Sequence, residues 1–227
     1  MARDPRIERG LLAQLTERRR RIDAGDRPLG WKLGMGVPAA MEKLGTSAPL
    51  VGYLLDSARL ESGGTCDISG WANPRLEPEV AVHMAADLGA GASREDAERA
   101  IRGMGAAIEL VDPDPGADDP EAILAADIFQ RHVLLGPVVE GATASGTSAR
   151  VLKNGDEAAR TGDATEATGD PVDLVLHVAT VVGAAGEGVR AGEVVICGSV
   201  VPALDIAPGD TVEVRVDPLG ALTVTFV

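Results

Sequence analysis

Apolar residues recur at helical spacing in several stretches of the chain. In the first stretch Leu11, Leu15 and Ile22 share one face, and Gly25 follows where a helix would end. Ser93 stands where a helix N-cap is favoured, and a proline opens the last stretch. The pattern predicts helices over residues 6–24, 93–102 and 171–182, and a short helix over 38–44.

Short apolar or alternating runs bounded by Gly, Pro, Asn or Asp occupy most of the remaining chain. Such runs are typical of strands, and Asn154-Gly155 is a dipeptide favoured in tight type I′ hairpins. The segment from Gly30 to Gly36 fits a short strand that enters a loop. The further strands predicted are 50–55, 65–68, 75–84, 106–111, 129–135, 149–153, 194–197, 211–216 and 222–227.

Many short strands with only about three longer helices predict an α+β protein built on a mixed β-roll or β-sandwich. Regular βαβ alternation is lacking, which argues against a doubly wound fold. We expect two parts: an N-terminal helical segment with a lysine-bearing loop at 1–48, packed on the rest, and a β-rich catalytic domain at 49–227. Residues 112–120, rich in proline and aspartate, are expected to form a solvated loop or a lid.

The charge of the chain restricts its partners. A formal net charge of -14 opposes binding to nucleic acid. The basic run Arg18 to Arg21 is interpreted as the solvated face of the first helix. Only 2% of the residues are aromatic, so stacking platforms for single strands or sugars are not expected. Small polar ligands fit better.

The cysteines and the ends of the chain suggest its compartment. Cys66 and Cys197 are too few for a disulfide framework and lack zinc-site spacing, so both are expected to be buried. The first residues show no leader, and no apolar run is long enough for a membrane span. These features predict a cytoplasmic protein without a membrane partner.

Two carboxylates share one face of a predicted strand. The period of two in the run 75–84 places Glu77 and Glu79 side by side, where they repel each other unless a cation lies between them. A solvent-facing strand edge is the alternative. His83 has the same parity and is either a further ligand or a structural histidine.

Glu109 lies within the apolar run 106–111, where an unpaired carboxylate is costly. A metal ion, a basic partner, a raised pKa or an outward position on a half-exposed strand would explain it. Three carboxylates without a Cys/His set favour a hard cation such as Mg²⁺ or Mn²⁺. Lys32, flanked by Gly30 and Gly34, either approaches a ligand or is merely solvated.

The order Gly-x-Lys-x-Gly around Lys32, then Glu77-Pro78-Glu79, then Ala107-Ile108-Glu109 resembles the fumarylacetoacetate hydrolase superfamily. Within it the chain is most similar to the branch of 2-keto-4-pentenoate hydratases and 4-oxalocrotonate decarboxylases. Stretches that share the resemblance are 52–56, 152–155, 169–171, 191–199 and 208–210. The resemblance implies a fold of the fumarylacetoacetate hydrolase C-terminal type.

The resemblance also implies roles for individual residues. Glu77, Glu79 and Glu109 would bind Mg²⁺ or Mn²⁺, Lys32 would contact the substrate or move a proton, and Gly198 with Ser199 would lie near the substrate carboxylate. The substrate would be a small 2-keto or 2-hydroxydienoic acid, and the chain would form a homo-oligomer.

Three hypotheses for the function are considered. The first is hydration of a 2-hydroxy-2,4-dienoate to a 4-hydroxy-2-keto acid, and the second is decarboxylation or tautomerisation of a related keto acid. Leu50 and Pro113-Asp114 depart from the residues usual in the branch. The third reading follows from these departures: a non-catalytic subunit that partners an active relative.

Overall fold

The computed structural model describes residues 4–227. Its five helices are α1 (Pro5–Asp23), α2 (Pro38–Leu44), α3 (Arg94–Ala100), α4 (Pro120–Ala125) and α5 (Pro171–Ala184). Three of them, α1, α4 and α5, begin with the same pair of residues: an aspartate whose side chain accepts a hydrogen bond from a first-turn N–H, followed by proline. Proline suits this first helical position because its missing N–H would have no partner there.

The strands form two sheets in the described part of the chain. They are β1 (Pro28–Gly34), β2 (Leu50–Leu55), β3 (Arg59–Leu60), β4 (Thr65–Cys66), β5 (Arg75–Met84), β6 (Ile101–Val111), β7 (Gln130–Leu135), β8 (Val139–Glu140), β9 (Ser148–Lys153), β10 (Asp156–Thr161), β11 (Val194–Ser199), β12 (Leu204–Asp205), β13 (Thr211–Asp217) and β14 (Gly220–Phe226).

The larger sheet has the order β2-β1-β11-β5-β6-β7-β3, with β12 paired to β5 and β8 paired to β6. The smaller sheet has the order β10-β9-β13-β14-β4. The main core contains inward residues of both sheets, such as Ile108 and Val214, together with Val178 of α5. The predicted α+β class and mixed two-sheet architecture are confirmed.

Several elements differ from the sequence-based expectation. Helix α4 was not predicted, because six residues are too few to show a periodic pattern. Strand β6 begins at Ile101, so Gly103 and Gly105 lie inside it and do not end a helix. A side chain at Gly103 would begin 2.2 Å from the carbonyl oxygen of Val139, and one at Gly105 would begin 2.9 Å from that of Pro137. These glycines permit close approach of another backbone segment.

The basic run on α1 is not uniformly solvated, which corrects the interpretation of Arg18. Arg18 is buried and its guanidinium lies 4.5 Å from the centre of the Trp31 ring. It also forms ion pairs with Glu187 at 3.2 Å and Glu193 at 3.7 Å. The other three arginines are more exposed, although Arg19 also pairs with Glu187 at 2.8 Å, so Arg18 is the buried contact of this run with β1.

The expected boundary at residue 48 falls between α2 and β2. Strands β1 and β2, on either side of it, pair in one sheet. Residues 1–3, part of the stretch in which no leader was expected, lie outside the described residues. Both cysteines are buried and free, as predicted. Across residues 4–227 we find no helix with the length and apolar character of a membrane span.

Candidate active site

The antiparallel pairing of β5 with β6 brings three carboxylates together. Glu77 lies opposite Glu109, and Glu79 lies two residues further along β5, on the same face. Each of the three offers an oxygen within 4.8 Å of the others. Glu79 and Glu109 are 0% and 1% exposed, which excludes a solvent-facing strand edge for them. The cluster therefore has the composition and spacing of an oxygen-ligand cation site.

Lys32 reaches this cluster from β1, two strands away from β5. It lies within the strand rather than in a loop, is 1% exposed, and forms an ion pair with Glu109. Its ammonium also donates to the carbonyl oxygen of Ile128 at 3.4 Å. These contacts use two of its three N–H donors. The solvated alternative for Lys32 is thus wrong.

Gly52 makes room for the lysine side chain. It pairs with Lys32 across β1 and β2. A β-carbon at Gly52 would lie 2.7 Å from Lys32 Cγ and 2.8 Å from an oxygen of Asp127, closer than side chains tolerate. The missing side chain at residue 52 is therefore what lets Lys32 and Asp127 occupy the same corner.

The Glu79 carboxylate is only half satisfied. Its Oε2 accepts the backbone N–H of Gly198 at 2.6 Å, whereas its Oε1 is buried with no hydrogen-bond partner among the described residues. Gly198 has a φ of 90°, a conformation that favours glycine. A buried carboxylate oxygen without a partner is costly, and a bound cation would remove that cost.

The electrostatics of the cluster show the same deficit of positive charge. Burial, and then the charge of Glu109, raise the pKa of Glu77 to about 7. Burial and the neighbouring carboxylates raise the pKa of Glu79 well above its ordinary value. The pKa of Glu109 is also raised, because burial outweighs the stabilising charge of Lys32. Burial acts to lower the pKa of Lys32, but the charges of Glu109 and Asp127 outweigh it and raise that pKa.

Asp127 is a member of the site that sequence reasoning missed as a functional residue. Its Oδ1 accepts the N–H of Tyr53 at 2.9 Å, and burial raises its pKa to about 8. Asp127, Ile128 and Phe129 all have positive φ values of 50° to 64°. Three consecutive non-glycine residues in this region are strained. The available signal was an acidic residue between Ala126 and Ile128 in an otherwise apolar stretch.

A cavity of about 540 Å³ opens beside the carboxylates. Its walls include Glu77, Gly198 and Ser199 from the larger sheet. Ser199 donates its hydroxyl to the carbonyl oxygen of Val201 at 2.6 Å, and it pairs with Glu79 in the sheet. Ser199 and Gly198 thus line the space next to the carboxylate cluster.

His83 is not part of the carboxylate cluster. It follows the same face of β5, but the grouped ligand atoms are those of the three glutamates alone. Its ring lies beside Gly105, where its Nε2 would be 3.2 Å from an added β-carbon. Burial lowers the pKa of His83. His83 therefore lies outside the group of three glutamates, and its buried Nε2 has no hydrogen-bond partner among the described residues.

The family of the chain follows from its match to a known family model. Residues 33–227 match the model described as fumarylacetoacetate (FAA) hydrolase C-terminal. The chain belongs to this family. The match begins near the end of β1 and covers every later strand of both sheets, together with Glu77, Glu79, Glu109 and Asp127 but not Lys32.

Curated relatives of this family member are decarboxylases and hydratases. A 4-oxalocrotonate decarboxylase of Pseudomonas putida is 28% identical over 92% of this chain and 81% of that protein. A 2-hydroxyhexa-2,4-dienoate hydratase of Comamonas testosteroni is 28% identical over the same shares, 92% and 81%. The predicted resemblance to this branch of the fumarylacetoacetate hydrolase superfamily is confirmed.

A solved structure of the branch has the same fold. The 4-oxalocrotonate decarboxylase from Pseudomonas putida G7, complexed with magnesium and adipate, matches with a TM-score of 0.87 at 26% sequence identity. The match covers 94% of this chain and 83% of that one. The expected fold of the fumarylacetoacetate hydrolase C-terminal type is thereby confirmed.

Proposed function

We propose that the chain is a divalent-metal-dependent hydratase that converts a 2-hydroxy-2,4-dienoate to a 4-hydroxy-2-keto acid. The observation that carries the proposal is the convergence of three carboxylates within 4.8 Å at the side of a cavity. Both the hydratase and the decarboxylase relatives act on small acids of this kind, to judge by their names. These names support a small-molecule substrate.

The residues present fit a bound Mg²⁺ or Mn²⁺. Glu77, Glu79 and Glu109 would hold it, and the orphaned Oε1 of Glu79 would gain a partner. When bound, the cation would hold the carboxylate of the substrate and polarise the oxygen on carbon 2 of the substrate. The decarboxylase of the same fold is complexed with magnesium, which supports this assignment.

Lys32 supplies the positive charge that an anionic substrate needs inside an acidic cluster. Glu109 and the Ile128 carbonyl hold two of its N–H donors, so the third is available to the substrate. In our proposal the Lys32 ammonium donates this third N–H to the 2-oxygen and stabilises the negative charge there, while the 2-hydroxyl gives its proton to a water molecule and the dienol becomes a ketone. A proton from water, added at C5 at the far end of the diene, completes this step. Water then adds to the remaining conjugated alkene, with its hydroxyl at C4 and its proton at C3.

Gly198 and Ser199 position the substrate in this proposal. The N–H of Gly198 fixes Glu79, and the Ser199 hydroxyl, held by the Val201 carbonyl, lies along the cavity wall. Both would face the substrate carboxylate. The apolar walls around Val200 would exclude bulk water from the reacting atoms.

Decarboxylation is the second candidate, favoured by one specific observation. The solved structure with a TM-score of 0.87 is a decarboxylase, and it is complexed with adipate, a dicarboxylic acid. Decarboxylation and hydration both need electron density drawn toward the 2-oxygen, so the same cluster would serve either reaction. Tautomerisation would need only the proton transfers.

Proton NMR separates these reactions directly. We expect protein with Mg²⁺ to add water to 2-hydroxypenta-2,4-dienoate, seen as new signals from a hydroxyl-bearing C4. Chelation with EDTA should stop the conversion. If a six-carbon keto diacid loses CO₂ while the dienoate is unchanged, the decarboxylase is correct. If no substrate changes and no Mg²⁺ binds, both activities are wrong and the non-catalytic subunit remains.

The cytoplasmic location and the homo-oligomeric state stay predictions. Two buried free cysteines fit a reducing compartment. Size-exclusion chromatography with light scattering would measure the subunit number.

A further inference from the structure

The cavity beside the carboxylates has walls from both sheets. The larger sheet contributes Glu77 and Ser199, and strand β10 of the smaller sheet contributes Arg160 and Thr161. Most of the remaining lining is apolar, from residues such as Met35 and Val200. Among the described residues that line this cavity, Arg160 is the sole basic one and Glu77 the sole acidic one.

Arg160 is only loosely held by its own neighbours. It lies directly opposite Arg150 on β9, and one acidic residue, Glu157, serves both. Arg150 Nε approaches Glu157 to 2.6 Å, whereas Arg160 Nε stays 3.7 Å from its other oxygen. The Arg160 side chain is 77% exposed. Its guanidinium therefore keeps most of its donors free for a ligand.

Placing two arginines opposite each other costs stability, because like charges at facing positions of a sheet repel. The two arginines face each other even though the chain has a net charge of -14 and so has more acidic than basic residues. A shift in the β9–β10 register between Glu157 and Ala159 also interrupts the regular pairing just before Arg160. Irregularities of this kind turn side chains toward binding sites at sheet edges.

We infer that Arg160 binds a second carboxylate at the far end of the substrate, so that the preferred substrate is a dicarboxylic 2-keto or 2-hydroxydienoic acid. The inference rests on the proposed function, in which the first carboxylate and the 2-oxygen are held at the glutamate cluster. A planar guanidinium matches a carboxylate with two parallel hydrogen bonds. Most of the other cavity walls are apolar and suit a carbon chain.

The specificity is measured with two saturated keto acids of equal length. 2-Oxoadipate and 2-oxohexanoate differ only in a terminal carboxylate against a methyl group, and calorimetry on the Mg²⁺-loaded protein gives both dissociation constants. We expect the wild-type protein to bind 2-oxoadipate about tenfold more tightly. Arg160→Gln should reduce the preference to about twofold or less and leave the affinity for 2-oxohexanoate unchanged.

Arg150→Gln is the matched control. It removes the same charge from the facing position, but Arg150 does not line the cavity. The inference is supported if Arg150→Gln keeps the preference for 2-oxoadipate and Arg160→Gln loses it. Equal binding of the two acids by the wild-type protein, or equal loss in both variants, overturns it and leaves the proposed function standing. Failure of both acids to bind in a Mg²⁺-dependent way overturns the proposed function itself.

Discussion

The two faces of strand β1 carry two buried charge clusters of opposite character. Trp31 points to one face, where its indole N–H donates to Glu193 at 3.1 Å and Arg18 covers its ring. Lys32, the next residue, points to the other face and contacts Glu109. Arg18 and Glu193 are buried, as Lys32 and Glu109 are, so burial alone does not separate a structural cluster from a functional one.

The cluster beside Trp31 is balanced. Arg18 and Arg19 oppose Glu187 and Glu193, so two positive groups meet two negative ones. Both oxygens of Glu193 have partners, since Oε2 accepts from Trp31 and from the N–H of Arg190 and Oε1 lies near Arg18. This cluster fixes α1 against the sheet and leaves little charge for a ligand.

The cluster beside Lys32 is unbalanced. One ammonium faces the carboxyl groups of Glu77, Glu79, Glu109 and Asp127, and an oxygen of Glu79 has no partner among the residues described. Unpaired buried charge costs several kcal/mol in proteins. The comparison teaches that an excess of charge of one sign, with a cavity beside it, distinguishes a binding site from a buried ion pair that only stabilises the fold.

Glu109→Ala should have the largest effect on the unbalanced cluster. It removes one of the three carboxylates and the ion-pair partner of Lys32. Loss of a residue that merely supports a ligand weakens metal affinity by about 10–100-fold, so loss of a ligand should weaken Mg²⁺ binding by at least about 100-fold. Calorimetric titration with Mg²⁺ measures this.

Glu213→Ala provides the control for that experiment. Glu213 lies on β13 of the smaller sheet, pairs with the exposed Arg215 and is not one of the three grouped carboxylates. Its loss should leave the Mg²⁺ affinity unchanged. Unaltered affinity in Glu109→Ala would show that the glutamates are not the metal site.

Arg18→Met tests the balanced cluster. It leaves Glu193 and Glu187 without their buried partner, so the free energy of unfolding should fall by about 3 kcal/mol. Chemical denaturation measures the loss, and the Mg²⁺ affinity should change less than twofold. Arg20→Met, on an exposed arginine of the same helix, should cost less than about 0.5 kcal/mol. A large loss of Mg²⁺ affinity in Arg18→Met would remove the distinction between the clusters.

A further prediction is a dependence of stability on pH in the metal-free protein. The pKa values of Glu77 and Asp127 are raised to about 7 and about 8. At pH values between the ordinary pKa of these carboxyl groups and the raised pKa, the folded state therefore holds more protons than the unfolded state. Stability should therefore fall as the pH rises through this window. The carboxylates whose pKa is lowered, such as Asp96, change the stability only at more acidic pH.

Thermal unfolding at pH 5.5 and 8.0, with EDTA and with Mg²⁺, checks this direction. The gain in stability from Mg²⁺ should be larger at pH 8.0, because the ligands must be deprotonated to bind it. An equal gain at both pH values, or a metal-free protein that is more stable at pH 8.0, would contradict the charge deficit.

Much of the candidate site could be predicted from local sequence. The period of two in 75–84 placed Glu77 and Glu79 on one face, and the apolar run around Glu109 placed that residue in the interior. The helices α1, α2 and α5 and most strands were also predicted within a few residues, since apolar spacing and turn residues act locally. Short elements such as α4 and β8 carry too little pattern to be found this way.

The sequence alone determined which chemical groups the protein has and which of them must leave water: an alternating Glu pair, a carboxylate in an apolar strand, and a lysine among glycines. Only the tertiary structure decided which of these groups meet. Lys32 and Glu109 are 77 residues apart, and Asp127 joins them through a strained turn beside Gly52. Likewise, the fold buried Arg18 and left Arg20 exposed, because contact with Trp31 and Glu193 depends on how α1 docks. Charge balance is a property of such distant contacts, and no local pattern encodes it.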